Sequence, residues 1–168
     1  LQILSLLVRL SRFRIGRKVA YGRIKNGLFG ESNGLIRNEY LEILPSVAFE
    51  EMATIYSNLS LSLNITELRG TFNLEHPIHK LHLRTFEIPM CGGLQIAPYV
   101  EELASYFIED EEIIFCRNDE EFTSKSKFYL KPENASLRAK MKNNARKRAE
   151  AEHTWSRRFE DVFGKLFG

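Results

Sequence analysis

The sequence predicts an α/β fold, a parallel sheet with helices on both of its faces. Two observations carry this expectation. Short apolar runs at 17–22 (RKVAYG), 59–65 (LSLSLNI), 94–98 (LQIAP) and 112–116 (EIIFC) alternate along the chain with segments of helical period, an order that closes into a parallel sheet through right-handed crossovers. LSLSLNI could alternate, but its serines are small enough for a strand covered on both faces. With 168 residues, 43% of them hydrophobic, the chain is long enough for one domain with a substantial core.

The elements follow in order. LQILSLLVRL opens the chain, and Ile3, Leu6, Leu7, Leu10 and Phe13 form a helical stripe. The run is too short to span a bilayer and contains Arg9, so it reads as an amphipathic helix rather than an anchor. No methionine precedes it, and we expect a piece of a longer chain. A strand at 17–22 and the turn-rich NGLFGESNG follow, then YLEIL (40–44) as another short strand. Pro45-Ser46 opens a helix with Ser46 as its N-cap and with Phe49, Met52, Ala53 and Tyr56 on one face. Residues 66–83 carry no clear period, and a loop that long inside a compact domain is functional or wrongly assigned. Helices are expected at about 99–107 and from about Glu120. The last third is helical from about 133, with Pro132 near its start and EHTW marking the break before a final helix through Phe163.

A net charge of +2 demands neither nucleic acid nor an acidic membrane surface. Cys91 and Cys116 make no metal or redox spacing and read as free thiols of a reducing, cytoplasmic interior.

The densest chemistry lies in LRTFEIPMCGG, 83–93. Pro89 cannot donate its amide and its ring crowds the preceding turn, so a helix here begins no earlier than Arg84 or Thr85. Glu87 then falls in the first turn. In a doubly covered parallel sheet such helix starts lie at the carboxyl ends of the strands, where ligands bind. A carboxylate there can accept two hydrogen bonds from a vicinal diol such as a ribose. The loop before the helix would bring backbone amides toward a phosphate, and Gly92-Gly93 would turn the chain into LQIAP. Equally, Glu87 can simply complement the helix dipole, worth about 0.3–1 kcal/mol, with Gly92 as a helix stop. The residues by themselves leave both readings open.

Other constellations carry less. His76, His79 and His82 invite a zinc reading, but Pro77 interrupts the helical spacing and no fourth ligand or second shell accompanies them. No metal is expected, and one of these histidines could instead donate to a sugar. Arg138, Lys140, Lys142, Arg146, Lys147 and Arg148 lie on one helix, with Arg157 and Arg158 beyond. They offer a nucleic-acid platform. No aromatic residue interleaves with them before Trp155, and Ala135, Met141, Ala145 and Ala149 supply a packing side, so a solvated face is the preferred reading. The acidic run EDEE, 109–112, reads as a solvated turn. His153 and Trp155 read as packing at the final junction, with Thr154 as an N-cap.

IYSNLSLSLNITE (55–67), LRTFEIPMCGG and EHTWSRRF (152–159), in this order and spacing, resemble the donor-binding half of glycosyltransferases of the spore maturation protein (CgeB-like) branch of the GT-B group, over roughly 40–163. The second motif is the most specific. The resemblance implies a Rossmann-like carboxyl-terminal domain that holds a nucleotide sugar as co-substrate, with no cofactor. It also implies an acceptor-binding domain elsewhere in the same polypeptide, its acceptor a glycan, a protein or a small molecule. No metal is needed, because dipoles and basic residues can stabilise the departing nucleoside diphosphate. Glu87 matches the family carboxylate that grips the ribose, and Leu83 and Arg84 fall in the segment that approaches the diphosphate. Many GT-B relatives carry a glutamate that meets the sugar where this chain has His79, a departure from the family pattern. His79 and His82 are candidate sugar or phosphate contacts. Arg23 and Lys25 are similar in type to a basic pair aimed at the diphosphate.

The expectation is therefore that residues 1–168 form the donor-binding domain of a cytoplasmic glycosyltransferase, lacking its first strand and ending in a helical tail from about 133. Such a piece would not catalyse alone. Two alternatives stand beside it: a catalytically inactive GT-B-like binding or scaffold protein, favoured by His79, and a nucleic-acid-binding module using the basic helix 138–148. The base, the sugar and the stereochemical outcome are not legible.

Overall fold

In the computed structural model the described residues are 42, 45–68, 71 and 77–167. The helix expected at 1–13, the strand at 17–22, Arg23 and Lys25 lie outside them, as does all of 40–44 except Glu42. The chain divides into two compact units, Leu1–Ser46 with Glu67–Lys80, and Val47–Thr66 with Leu81–Gly168.

In the first unit Glu67 and His79 form an antiparallel bridge, and the Leu68 amide donates to the Ile78 carbonyl at 2.6 Å. The Thr71 hydroxyl donates to the Leu68 carbonyl at 2.7 Å and accepts from the Ile78 amide at 3.2 Å. The run without a period thus contains a bridged pair and is not one open loop. The chain leaves the second unit after Thr66 and re-enters it at Leu81, so 67–80 answers to a different set of neighbours.

The second unit runs α1 (Phe49–Asn58), β1 (Ser62–Leu63), α2 (Arg84–Met90), β2 (Gln95–Pro98), α3 (Glu101–Ala104), β3 (Ile114–Cys116), α4 (Asp119–Leu130), a 3-10 turn (Pro132–Asn134), α5 (Ala135–Glu152) and α6 (Trp155–Phe167). The strands lie in the order β1-β2-β3 and are parallel, with Leu63 opposite Ile96 and Ile96 opposite Ile114. Three of the four expected strands therefore stand as parallel neighbours. On β2 and β3 side chains alternate between two covered faces, whereas on β1 Ser62 is buried and Leu63 exposed, so the expected covering of LSLSLNI on both faces does not hold. Ala97 and Phe115 pack with Phe86, Leu103, Phe107 and Ile113 on one. Ile96, Ile114 and Cys116 pack with Leu94, Tyr129 and Met141 on the other. α5 serves both layers, placing Met141 in one cluster and Ala149 in the other. The result is a Rossmann-like α/β arrangement with a helical carboxyl-terminal portion.

Several local expectations need correction. α1 starts at Phe49 with Ala48, not Ser46, at the N-cap, and that position supplies no side-chain hydrogen bond. Glu50 and Glu51 give its first turn negative charge instead. Its partly buried face is Met52, Ile55 and Tyr56, while Phe49 is 74% exposed. α3 is a single turn rather than 99–107. The Ser105 amide is shared between the Glu101 and Glu102 carbonyls and the Tyr106 amide turns back to Leu103, so the helix tightens and ends. Ala135 is exposed and does not pack.

The acidic run is structural. Glu109 accepts from both terminal nitrogens of Arg117, at 2.9 and 2.7 Å, and from Lys125 Nζ at 3.0 Å. Asp110, at φ 60°, accepts from the Tyr129 hydroxyl at 3.0 Å. Glu112 is buried, taking the Ile108 amide at 2.9 Å and Arg148 Nε at 2.6 Å. Composition cannot reveal this, because the partners come from elements that lie later in the chain. The Arg117 hydrogen bonds, aided by Lys125, pull the Glu109 carboxyl from its ordinary 4.5 to about 2. Its folded value lies below its unfolded one, so its contribution to stability is complete above about pH 4.5 and is lost as pH falls toward 2. A denaturant midpoint that drops across this window, and drops less in Arg117→Gln with Lys125→Gln, is the expected result. Equal acid sensitivity in that variant would remove Glu109 as the cause.

The basic helix is also largely committed internally. Lys142 Nζ donates to the Ser57 and Leu59 carbonyls at 2.9 and 2.7 Å, capping the end of α1. Arg138 does the same for α4 through the Tyr129 and Lys131 carbonyls. Arg146 pairs with Glu150, and Arg148 with Glu112 and Glu152. Most of the supposed nucleic-acid cations are thus structural.

The turn after α2 fulfils its expectation. Gly92 has φ +75°, its amide donates to the Pro89 carbonyl at 2.9 Å, and the Gly93 amide donates to Ile88 at 2.8 Å. This paired pattern is a Schellman stop. A Cβ on Gly93 would lie 2.9 Å from Ile88 Cγ2 and 3.2 Å from the Tyr56 carbonyl oxygen. We expect Gly92→Ala to cost about 1–2 kcal/mol in chemical denaturation, the left-handed penalty for a residue with a Cβ. A neutral result would mean that the turn relaxes to another conformation.

Candidate functional site

α2 starts where the sequence places it, at Arg84, with Leu83 as N-cap and Pro89 accommodated inside. Proline lacks the N–H that would meet the carbonyl four residues back, that of Thr85. Gln95 Nε2 on β2 supplies the missing donor at 3.1 Å. Thr85 is wholly buried and accepts from Asn64 Nδ2 at 3.2 Å, which ties the first turn of α2 to the carboxyl end of β1.

Leu83, Phe86, Glu87 and Met90 of α2 face His153 and Thr154 at the α5-α6 junction and Trp155 and Arg158 of α6 across a cavity of about 230 Å3. Thr154 acts as the N-cap, accepting from the Arg157 amide at 3.4 Å, so the final helix starts at the junction and brings Arg158 to the cavity. The Arg158 guanidinium lies 4.2 Å from the centroid of the Phe86 ring, a cation-π contact. Phe86 in turn packs on Tyr106 edge-on at 5.4 Å and on His153 at 4.9 Å.

His153 completes the floor, with its ring 5.3 Å from Tyr106 and 5.5 Å from Phe107. Burial holds its pKa below the ordinary 6.5, and Arg158 and Arg148 act in the same direction, against the Tyr106 carbonyl and Glu152. The ring is therefore a neutral packing element near pH 7, as its sequence context suggests. Burial likewise raises the pKa of the Cys91 thiol, and Glu87 adds to the effect. Cys91 and Cys116 are both free.

Among the described residues, the half-buried Glu87 carboxylate has no hydrogen bond or ion pair, and Arg158 has no ion pair. An apolar pocket with one free carboxylate and one free guanidinium can bind a hydroxylated ring and an adjoining anionic group.

Of the residues singled out by sequence, Leu83 and Glu87 line this cavity. Arg84 is exposed and is not part of its lining. His82 is exposed, with its carbonyl accepting from the Thr85 amide at 2.9 Å, and it does not line the cavity either. His79 belongs to the first unit, and His76 lies outside the described residues. Among the described residues no group of three His, Cys, Asp or Glu side chains is arranged to hold a metal ion. The sequence marks Arg158 only as basic surface. The available signal was EHTWSRRF itself, in which Arg158 sits one helical turn beyond Thr154 and therefore on the same side.

A Rossmann-like α/β domain with a partly polar pocket between its helices defines a broad ligand-binding class. Residues 14–164 match the model of a glycosyl transferase-like family, and the chain belongs to that family. No curated protein and no solved structure matches the chain. Among the described residues, no helix is long and apolar enough to cross a membrane.

Proposed function

We propose that the chain carries the nucleotide-sugar-binding part of a GT-B glycosyltransferase of the CgeB-like branch, working without a metal. The observation that carries this reading is Glu87, a carboxylate with no described protein partner, facing a mostly apolar cavity in a chain of the glycosyl transferase-like family. In this reading Glu87 accepts the two ribose hydroxyls, and the Phe86-His153 floor takes the apolar edge of the nucleoside. Arg158 offers its guanidinium to a phosphate oxygen, and Leu83 and Arg84 border the path of the diphosphate. A cavity of about 230 Å3 is smaller than the roughly 300–1,000 Å3 that encloses a whole drug-sized ligand, so the sugar extends beyond it. His79 and His82 are the proposed sugar or phosphate contacts. The acceptor is held by a separate domain of the same polypeptide, and the enzyme works in the cytoplasm.

Titrating the whole protein with a panel of nucleotide sugars tests this. Saturable binding of one base class, competed by its nucleoside diphosphate, is expected, and no binding across the panel would refute it. The presence of His79 where relatives carry a glutamate favours a second reading, a domain that binds the donor without transferring it. Binding without turnover in the same assay would select that reading.

A further inference from the structure

We propose that Asn64, Thr85 and Gln95 form a buried clamp whose role is to position Glu87 for its ligand, an inference that rests on the nucleotide-site reading above. The three side chains come from the end of β1, the first turn of α2 and the start of β2, and their relative exposures are 0%, 0% and 1%. Each link has a fixed direction. Pro89 leaves the Thr85 carbonyl without its helical donor, so the Gln95 amide must aim Nε2 at it, at 3.1 Å. That choice leaves Gln95 Oε1 as an acceptor, and Asn64 Nδ2 meets it at 3.0 Å while also reaching Thr85 Oγ1 at 3.2 Å. Turning the Gln95 amide over would set oxygen against the carbonyl and nitrogen against nitrogen, a doubly repulsive arrangement in a dry site.

A core built for stability alone would place apolar side chains here, as it does at Leu94 and Ile96. The polar set instead comes at a cost, because among the described residues Asn64 Oδ1 and Ser62 Oγ are buried without a hydrogen-bond partner. What the clamp adds is a defined angle and register. Apolar contacts let a one-turn shift or a small roll of α2 pass cheaply, whereas two directional bonds onto its first turn, braced by the Asn64–Gln95 bond, do not. Glu87 is two residues beyond Thr85 on the same short helix, so any roll of α2 moves its carboxylate across the cavity. The clamp residues act through Glu87 and touch no ligand themselves.

The test uses the whole protein, titrated calorimetrically with uridine, guanosine, thymidine and adenosine diphosphates, with amide hydrogen exchange measured in parallel. Gln95→Met keeps the volume and removes the donor, and Thr85→Val removes Oγ1, while Thr85→Ser keeps it. Ile114→Val, on the opposite face of the sheet, serves as a control for general loss of stability. We expect Gln95→Met and Thr85→Val to weaken binding of the preferred diphosphate about tenfold, on the scale of small misplacements of a binding group. Their exchange should quicken chiefly in the α2 amides, with Thr85→Ser and Ile114→Val close to the parent. If Glu87→Ala weakens binding but Gln95→Met does not, the clamp proposal fails and the site reading stands. If the parent binds no diphosphate, or Glu87→Ala leaves binding unchanged, the site reading fails and takes the positioning role with it. Equal loss in Ile114→Val would reduce the clamp to ordinary stability and overturn it as well.

Discussion

Phe107→Ala is expected to lower unfolding stability by about 3–5 kcal/mol, the range for deleting a buried phenyl ring. Phe107 is 2% exposed and packs among Phe86, Ala97, Leu103, Ile113, Phe115 and Ala149. Those neighbours come from α2, β2, α3, β3 and α5 and the chain around them, so no single movement refills the hole. The ring also lies 6.0 Å from Phe86 and 5.5 Å from His153, which form the floor of the candidate site. Where the pocket binds a nucleotide as proposed, loss of affinity should therefore accompany loss of stability. Met141→Ala provides the comparison. Met141 is 1% exposed in the opposite layer, so this variant should lose about 2–5 kcal/mol while sparing the pocket. Urea titrations with unchanged m-values would make the comparison valid. A loss below about 1 kcal/mol in Phe107→Ala would mean that this face of the sheet is not the packed core described here.

Glu87→Ala is the second large effect. If the carboxylate holds a ribose, removing it should weaken nucleoside diphosphate binding about 10- to 150-fold, the equivalent of about 1.5–3 kcal/mol for hydrogen bonds to a charged group. Stability should barely change, because the carboxylate has no hydrogen bond or ion pair among the described residues. Glu87→Gln should fall between the two, since an amide oxygen still accepts but without the charge. Isothermal titration of the three proteins decides the matter. Unchanged affinity in Glu87→Ala would leave the side chain with only its dipole role.

How much of this was legible in the sequence depended on the reach of each interaction. LQIAP and EIIFC are legible as parallel strands because a doubly covered strand is written in its own few residues. LSLSLNI is a strand too, but it turns Ser62 and Asn64 inward and leaves Leu63 and Ile65 exposed, an orientation its pattern hides. The stop at Gly92-Gly93, the start of α2 set by Pro89 and the cap at Thr154 are likewise local. The misreadings involve distant partners. EDEE reads as solvated until Arg117, Lys125, Tyr129 and Arg148 fold back onto it. Lys142 reads as a free cation until Ser57 and Leu59, more than 80 residues away, present their carbonyls. Glu87 was visible as a candidate because a carboxylate in an apolar stretch is conspicuous. Arg158 was not, because its significance arises only when α6 carries it over Phe86. Gln95 and Asn64 were missed for a related reason. A polar residue in a strand looks like a surface position until the carbonyl orphaned by a proline in the neighbouring helix is found beside it.

α5 makes the two layers mechanically inseparable. At 18 residues it is about 27 Å long, enough to reach from the cluster around Met141 to the one around Ala149. Its side chains cap the ends of α1 and α4 on the way. A splint of this kind removes the option of losing one layer while keeping the other, because freeing α5 uncovers both sides of the sheet at once. Slow-exchanging amides on β2 and β3 should therefore open together with those of α5 in a single step.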